Sequence, residues 1–297
     1  MRYAVSSVEA VSSCLGMAAM YVGVLYCCPR EIRVLPRDHP RHILARFFLI
    51  SIACALFPVY LSYFSDERAD KDITFALKLG FHWKVEETTV ATLLAVALTM
   101  LLFAGSLFSN TLEVYFIKDA EKTTWGGAFK QTQLYRMVVH QPMSALRTIV
   151  FGPLTEEFAF RSCMLPLLLD SGWSINGTVF ASPLAFGVAH AHHFVDHIRS
   201  GKPILTALAI VLFQFLYTTV FGIYASFLFL RTGHFFVAFA VHAYCNIMGF
   251  PDLSFLSTDH PLQPFRTAIL IVYVGGIVAF SSLLFPLSGM YTSMFWT

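Results

Sequence analysis

From Thr88 to Phe108 the chain runs without a charge, and from Pro203 to Leu230 it does so again. Runs of this kind limit the fold more than any other feature. A bilayer core takes about 20 mostly apolar residues in helix, because a helix satisfies its own backbone N–H and C=O groups in hydrocarbon. The rest of the 297 residues agrees: 57% are hydrophobic and 13% are charged, against roughly 25% charged in soluble domains. The expected class is all-α, a polytopic integral membrane protein whose surroundings are lipid.

Apolar runs place the expected spans at Ala10 to Cys28, Ile43 to Phe64, Thr88 to Phe108, Pro153 to Leu169, Ile175 to His193, Pro203 to Leu230, His234 to Phe250 and Thr267 to Leu287. That makes about eight, with Leu134 to Val150 re-entrant or interfacial. No internal repeat or low-complexity stretch divides them, so residues 1–297 read as a single membrane domain. A net charge of +2 accompanies no basic tract interleaved with aromatics, no glycine-rich phosphate loop and no zinc-finger spacing. Nucleic acid is therefore excluded as a partner. The six cysteines lie mostly in apolar segments and read as packing residues.

Arg30, Arg33, Arg37 and Arg41 crowd the first loop. By the positive-inside rule that loop is cytosolic, and the amino terminus lies on the other face of the membrane.

Against this background the stretch FGPLTEEFAFRSCMLPLLL (151–169) is anomalous, because charges inside a membrane are costly and survive where they have a partner or a task. Pro153 suits a first helical turn, which would put Glu156 and Glu157 near a helix N-terminus. Glu157 and Arg161 are four apart and share a face, whereas Glu156 points about 100° away from Glu157. One carboxylate can be neutralised locally while its neighbour serves another partner. In FGVAHAHHF (186–194), Phe186 and His190 are one turn apart. In HAYCN (242–246), His242 and Asn246 stand on one face. These groups fall on three of the spans, which suggests that the three helices surround a polar, watered cavity. A carboxylate with a histidine can activate water, and a His/Asn pair can stabilise an oxyanion. No GxSxG elbow supplies a serine nucleophile and no HExxH helix is present. Cys245 reads as packing.

The motifs EExxxR (Glu156, Glu157, Arg161), FxxxH (Phe186, His190) and HxxxN (His242, Asn246), in that order on three apolar helices, resemble the CAAX prenyl endopeptidase family. Within it they resemble the eukaryotic, Ras-converting branch. AFGVAHAHHF, FQFLYTTVFGIYASFLFLRTGH (213–234) and CNIMGFPD (245–252) carry the same resemblance, so that it covers about 134–252. It implies a glutamate-type intramembrane protease of the endoplasmic reticulum that needs no cofactor. Its active site would be reached from the cytosolic side. Its substrates would be prenylated CAAX proteins, Ras-like small GTPases among them, from which it removes the carboxy-terminal tripeptide. Glu156 and His190 would activate the water, His242 and Asn246 would bind the oxyanion, and Glu157, Arg161 and Phe186 would support them. His192 and His193 fit the branch without a derivable role.

Two other readings stand beside it. Glu156, His190 and His242 could ligate zinc. Intramembrane Glu, Arg and His also mark transporters, or a scaffold in which Glu157 and Arg161 form a structural pair. Asn176-Gly177-Thr178 is a glycosylation sequon, but its closeness to two spans argues against modification.

Overall fold

The computed structural model describes residues 2–66, 73–290 and 293–296. Among them, five helices are long and apolar enough to cross a membrane: Ser7–Cys27, Pro40–Ser62, Val85–Leu102, Ile204–Thr232 and Gln263–Ser288. Phe235–Met248 is a shorter apolar helix. The protein is thus an all-α, multi-pass membrane protein, with five of the expected spans meeting that length. The charge run at 65–72 lies largely outside the described residues.

Local chemistry sets the ends of these helices. Ser6 and Glu9 form a capping box at the start of Ser7–Gly23. His39 accepts from Arg41 N at the start of Pro40–Ser62, where Pro40 takes the first position. Ser174 caps Ile175–Ala189 by accepting from Gly177 N. Asn176 of the sequon is thereby placed in a first helical turn, with Thr178 buried.

One expectation is corrected. The uncharged run from Thr88 to Phe108 is not one span: its helix ends at Leu102, and a second helix, Ala104–Ala120, begins beyond Phe103. Absence of charge fixes compatibility with lipid but does not decide where a backbone turns. The segment Leu134 to Val150 is broken into Gln133–His140, Pro142–Ala145 and a π-helical turn Leu146–Phe151.

The chain divides into two compact units, Met1–Thr88 with Leu154–Phe239 and Thr292–Thr297, and Thr89–Pro153 with Ala240–Tyr291. In the first, helices Ile175–Ala189 and Ile204–Thr232 approach closely through glycines. A Cβ on Gly187 would lie 2.6 Å from Thr219 Oγ1, and one on Gly222 would lie 2.7 Å from Pro183 Cβ. In the second, helices Ala104–Ala120 and Arg266–Ser288 meet in the same way, since a Cβ on Gly105 would collide with the Tyr273 ring. Lipid tails are as apolar as leucine, so such helices associate by close packing rather than by the hydrophobic effect, and small residues permit it. Gly222→Ala is accordingly expected to cost about 1–3 kcal/mol by overpacking, read as a lower thermal unfolding midpoint in detergent. A midpoint equal to wild type would contradict this contact.

Candidate active site

The carboxylate pair sits in a helical run assembled from unlike turns. Gly152–Glu157 is α-helical, and π-helical turns precede it at Leu146–Phe151 and follow it at Phe158–Cys163. Glu156 and Glu157 are therefore in mid-run, and the expected placement near a helix N-terminus is wrong. Gly152 and Ala145 both have right-handed helical backbone, so no free helix end precedes the pair. Support from the helix dipole disappears with that end. π turns are rare and cluster at functional sites, where the extra residue re-aims a side chain.

The two glutamates then divide as their spacing requires. Glu157 is fully buried and Arg161 is 1% exposed, with Glu157 Oε1 3.1 Å from Arg161 Nη1. Glu156 is half-buried. The preceding residue, Thr155, is hydrogen-bonded through its hydroxyl to Tyr21 at 2.9 Å.

Arg161 extends the pair across to the neighbouring helix. Its guanidinium lies over the Phe186 ring at 4.5 Å and near that of Phe221 at 5.7 Å, a favourable cation–π placement in a desolvated site. Phe186 is buried, and its ring meets that of His190 edge-on at 4.8 Å. His190 closes helix Ile175–Ala189 at the start of a short 3-10 turn, and its Nδ1 is 2.8 Å from Phe186 O. A carbonyl only accepts, so Nδ1 carries the proton. In the neutral ring Nε2 is then left with the lone pair. Glu157, Arg161, Phe186 and His190 are thus linked by direct contacts, with Phe186 serving as spacer and as tautomer-setting acceptor.

His242 and Asn246 belong to the second unit, four residues apart on Phe235–Met248. His242 is buried and Asn246 half-buried. Asn246 Nδ2 donates to Thr148 O at 2.8 Å. Thr148 lies within the first π turn, so the amide satisfies a carbonyl of the irregular backbone and is oriented by it. Among the described residues no three His, Cys, Asp or Glu side chains cluster as a metal-ligand set.

Two further features of the first unit had no signal in the sequence. A groove of about 450 Å³ runs between the amino-terminal helix and Ile175–Ala189, lined at one end by Trp173 and Leu168 and at the other by Val22 and Ala189, next to His190. The unit also has two distinguishable ends. Near one, Arg37 Nη1 is 3.3 Å from Nδ1 of the buried His193. Near the other, Asp170 accepts from Tyr3 N at 2.7 Å and pairs with Lys78. The side chain of His192 lies outside the described residues.

With this geometry in place, comparison with known proteins identifies the family. The description "Type II CAAX prenyl endopeptidase Rce1-like" matches residues 138–248. CAAX prenyl protease 2 of Homo sapiens is 37% identical over 290 residues, covering 94% of this chain and 80% of that protein. The chain belongs to the Rce1-like CAAX prenyl endopeptidases. CAAX prenyl protease 2 of Arabidopsis thaliana is 31% identical over 289 residues, 94% of this chain and 89% of that protein. The protein of the same name from Saccharomyces cerevisiae is 27% identical over 270 residues, 81% of each. No solved structure matches. As a member of this endopeptidase family the protein is an enzyme, and the family match at 138–248 encloses all three motifs.

Proposed function

We propose that this endopeptidase removes the aaX tripeptide from farnesylated or geranylgeranylated CAAX proteins at the endoplasmic reticulum membrane, Ras-like small GTPases among them. In the reaction, Glu156 takes a proton from water, with Nε2 of His190 sharing that proton. The hydroxide adds to the carbonyl carbon of the prenylated cysteine. His242 and Asn246 hydrogen-bond the resulting oxyanion. As the C–N bond breaks, the proton passes to the departing amine. The products are a prenylated cysteine carboxylate and a tripeptide with a free amino group. No metal takes part.

The observation that carries this reading is the division between the glutamates. Arg161 neutralises Glu157 within a buried contact, whereas Glu156, half-buried on a different face, is suited to exchange a proton. The tautomer of His190 supports the same assignment. For Asn246, one N–H is oriented by Thr148 O, and the second is the donor assigned to the oxyanion. Asn246→Ala is expected to lower kcat by about 10²–10³-fold with less effect on KM. An effect confined to KM would assign Asn246 to ground-state substrate binding instead.

The groove supports the substrate class. It is apolar along its length and ends at Ala189, beside His190, so an isoprenoid laid in it would leave its cysteine at the proposed base. The contact of Arg37 with His193 brings the arginine-rich first loop to the His190 end of the unit, which supports a site reached from the cytosol. The test is release of tripeptide by purified protein from a farnesylated peptide and its unprenylated twin. Cleavage confined to the farnesylated peptide is expected, and equal cleavage of both would overturn the assignment of substrate.

A further inference from the structure

The contact between Arg37 and His193 bears on the other end of the substrate. Whatever the identities of a, a and X, every substrate of the proposed reaction ends in an α-carboxylate three residues beyond the scissile bond. That charge enters the membrane boundary together with the tripeptide, and desolvating it is costly unless it meets a cation. We propose that Arg37 binds the carboxy-terminal carboxylate and thereby sets the position of the scissile bond; this rests on the reading of His190 given above.

Distance carries the argument. The rings of His190 and His193 are 6.0 Å apart, and His193 Nδ1 is 3.3 Å from Arg37 Nη1. The guanidinium therefore stands within about 10 Å of the His190 ring, which is the reach of three extended residues at about 3.3 Å each. Three extended residues can therefore span from the His190 ring to the guanidinium, whereas a much longer peptide would have to buckle.

The chemistry fits as well. A guanidinium is a planar fork of donors that matches a carboxylate bidentately and stays charged at any relevant pH. The loop is held rather than loose. His39 N donates to Pro36 O at 2.9 Å, and His42 Nδ1 donates to Leu35 O at 3.1 Å. His193, buried, braces the arginine from below. Arg33 and Arg41 in the same loop raise the local positive potential and favour arrival of an anionic terminus. Asp196, whose Oδ2 is 3.5 Å from His193 Nδ1, is an acidic neighbour that opposes an incoming carboxylate and that the guanidinium must outweigh.

The experiment compares one farnesylated Cys-a-a-X peptide as the free acid with the same peptide as its carboxy-terminal amide. Both are assayed in detergent with wild type, Arg37→Ala, Arg37→Lys and Glu156→Ala. Wild type is expected to favour the acid by about 10–100-fold in kcat/KM, carried mainly in KM, the range of a charge-assisted hydrogen bond. Arg37→Ala should cleave acid and amide alike, at the rate at which wild type cleaves the amide. Arg37→Lys should recover part of the preference. Because each variant is compared with itself on two substrates, a partial loss of folded protein cancels. An Arg37→Ala variant that keeps the wild-type preference, or a wild type without one, overturns the proposal. If Glu156→Ala is inactive in that case, the function reading survives and only this inference fails. A wild type that cleaves neither peptide overturns both.

Discussion

Glu156→Gln is expected to abolish release of the tripeptide while leaving the folded protein intact. Glutamine keeps the shape of the side chain and its hydrogen-bonding reach but cannot accept a proton from water. General-base catalysis by a positioned carboxylate is worth about 10²–10⁴-fold, so the residual rate should fall by at least that factor at saturating substrate. Glutamine keeps the volume and hydrogen-bonding reach of this half-buried side chain, so the unfolding midpoint in detergent should move little. Loss of activity together with a large loss of stability would mean that Glu156 is structural. Retained activity would remove it from the mechanism.

The opposite pattern is expected at its neighbour. Arg161→Ala leaves Glu157, fully buried, without its counter-ion, and it strips the cation from the Phe186 face. Breaking a buried pair by removing one partner costs about 3–5 kcal/mol, much of it the penalty of a stranded charge. The variant should unfold at markedly lower temperature and yield little folded protein. Removing both charges by Glu157→Gln with Arg161→Met should recover most of the stability, because a neutral pair strands nothing. A double variant as unstable as Arg161→Ala would show that packing against Phe186, rather than charge, dominates. Activity in a stable double variant would show that the pair acts only by holding Phe186, and through it His190, in place.

These two results separate residues that are adjacent in the chain, and the separation was legible from spacing. Helical periodicity alone puts Glu157 over Arg161 and Phe186 over His190 at four residues, and the structure has both contacts. Membrane class followed from the uncharged runs for the same reason: backbone groups in lipid must be satisfied within the helix.

What spacing did not reveal has physical causes. π turns around Gly152–Glu157 have no side-chain signature, and Pro153, a residue suited to a first turn, lies inside a continuing helical run. The helix Ala104–Ala120 carries Asn110, Glu113, Lys118 and Asp119, so a search for apolar runs passes over it. Faces toward lipid and faces toward protein are both apolar, so periodicity could not show which helices touch. That choice is made by glycines such as Gly187, Gly222 and Gly105, whose role is visible only against the partner. Arg37 and His193 are separated by 156 positions, and no local pattern joins them.

Metal-free hydrolysis driven by Glu156 can be separated from metal-dependent cleavage in a single assay. Release of the tripeptide from a farnesylated Cys-a-a-X peptide would be followed for purified wild type and Glu156→Ala, each with and without a strong chelator and with zinc added back. Wild type is expected to cleave whether or not chelator or zinc is present, and Glu156→Ala is expected not to cleave. Cleavage that is lost on chelation and restored by zinc would contradict this and assign Glu156, His190 and His242 to a metal instead.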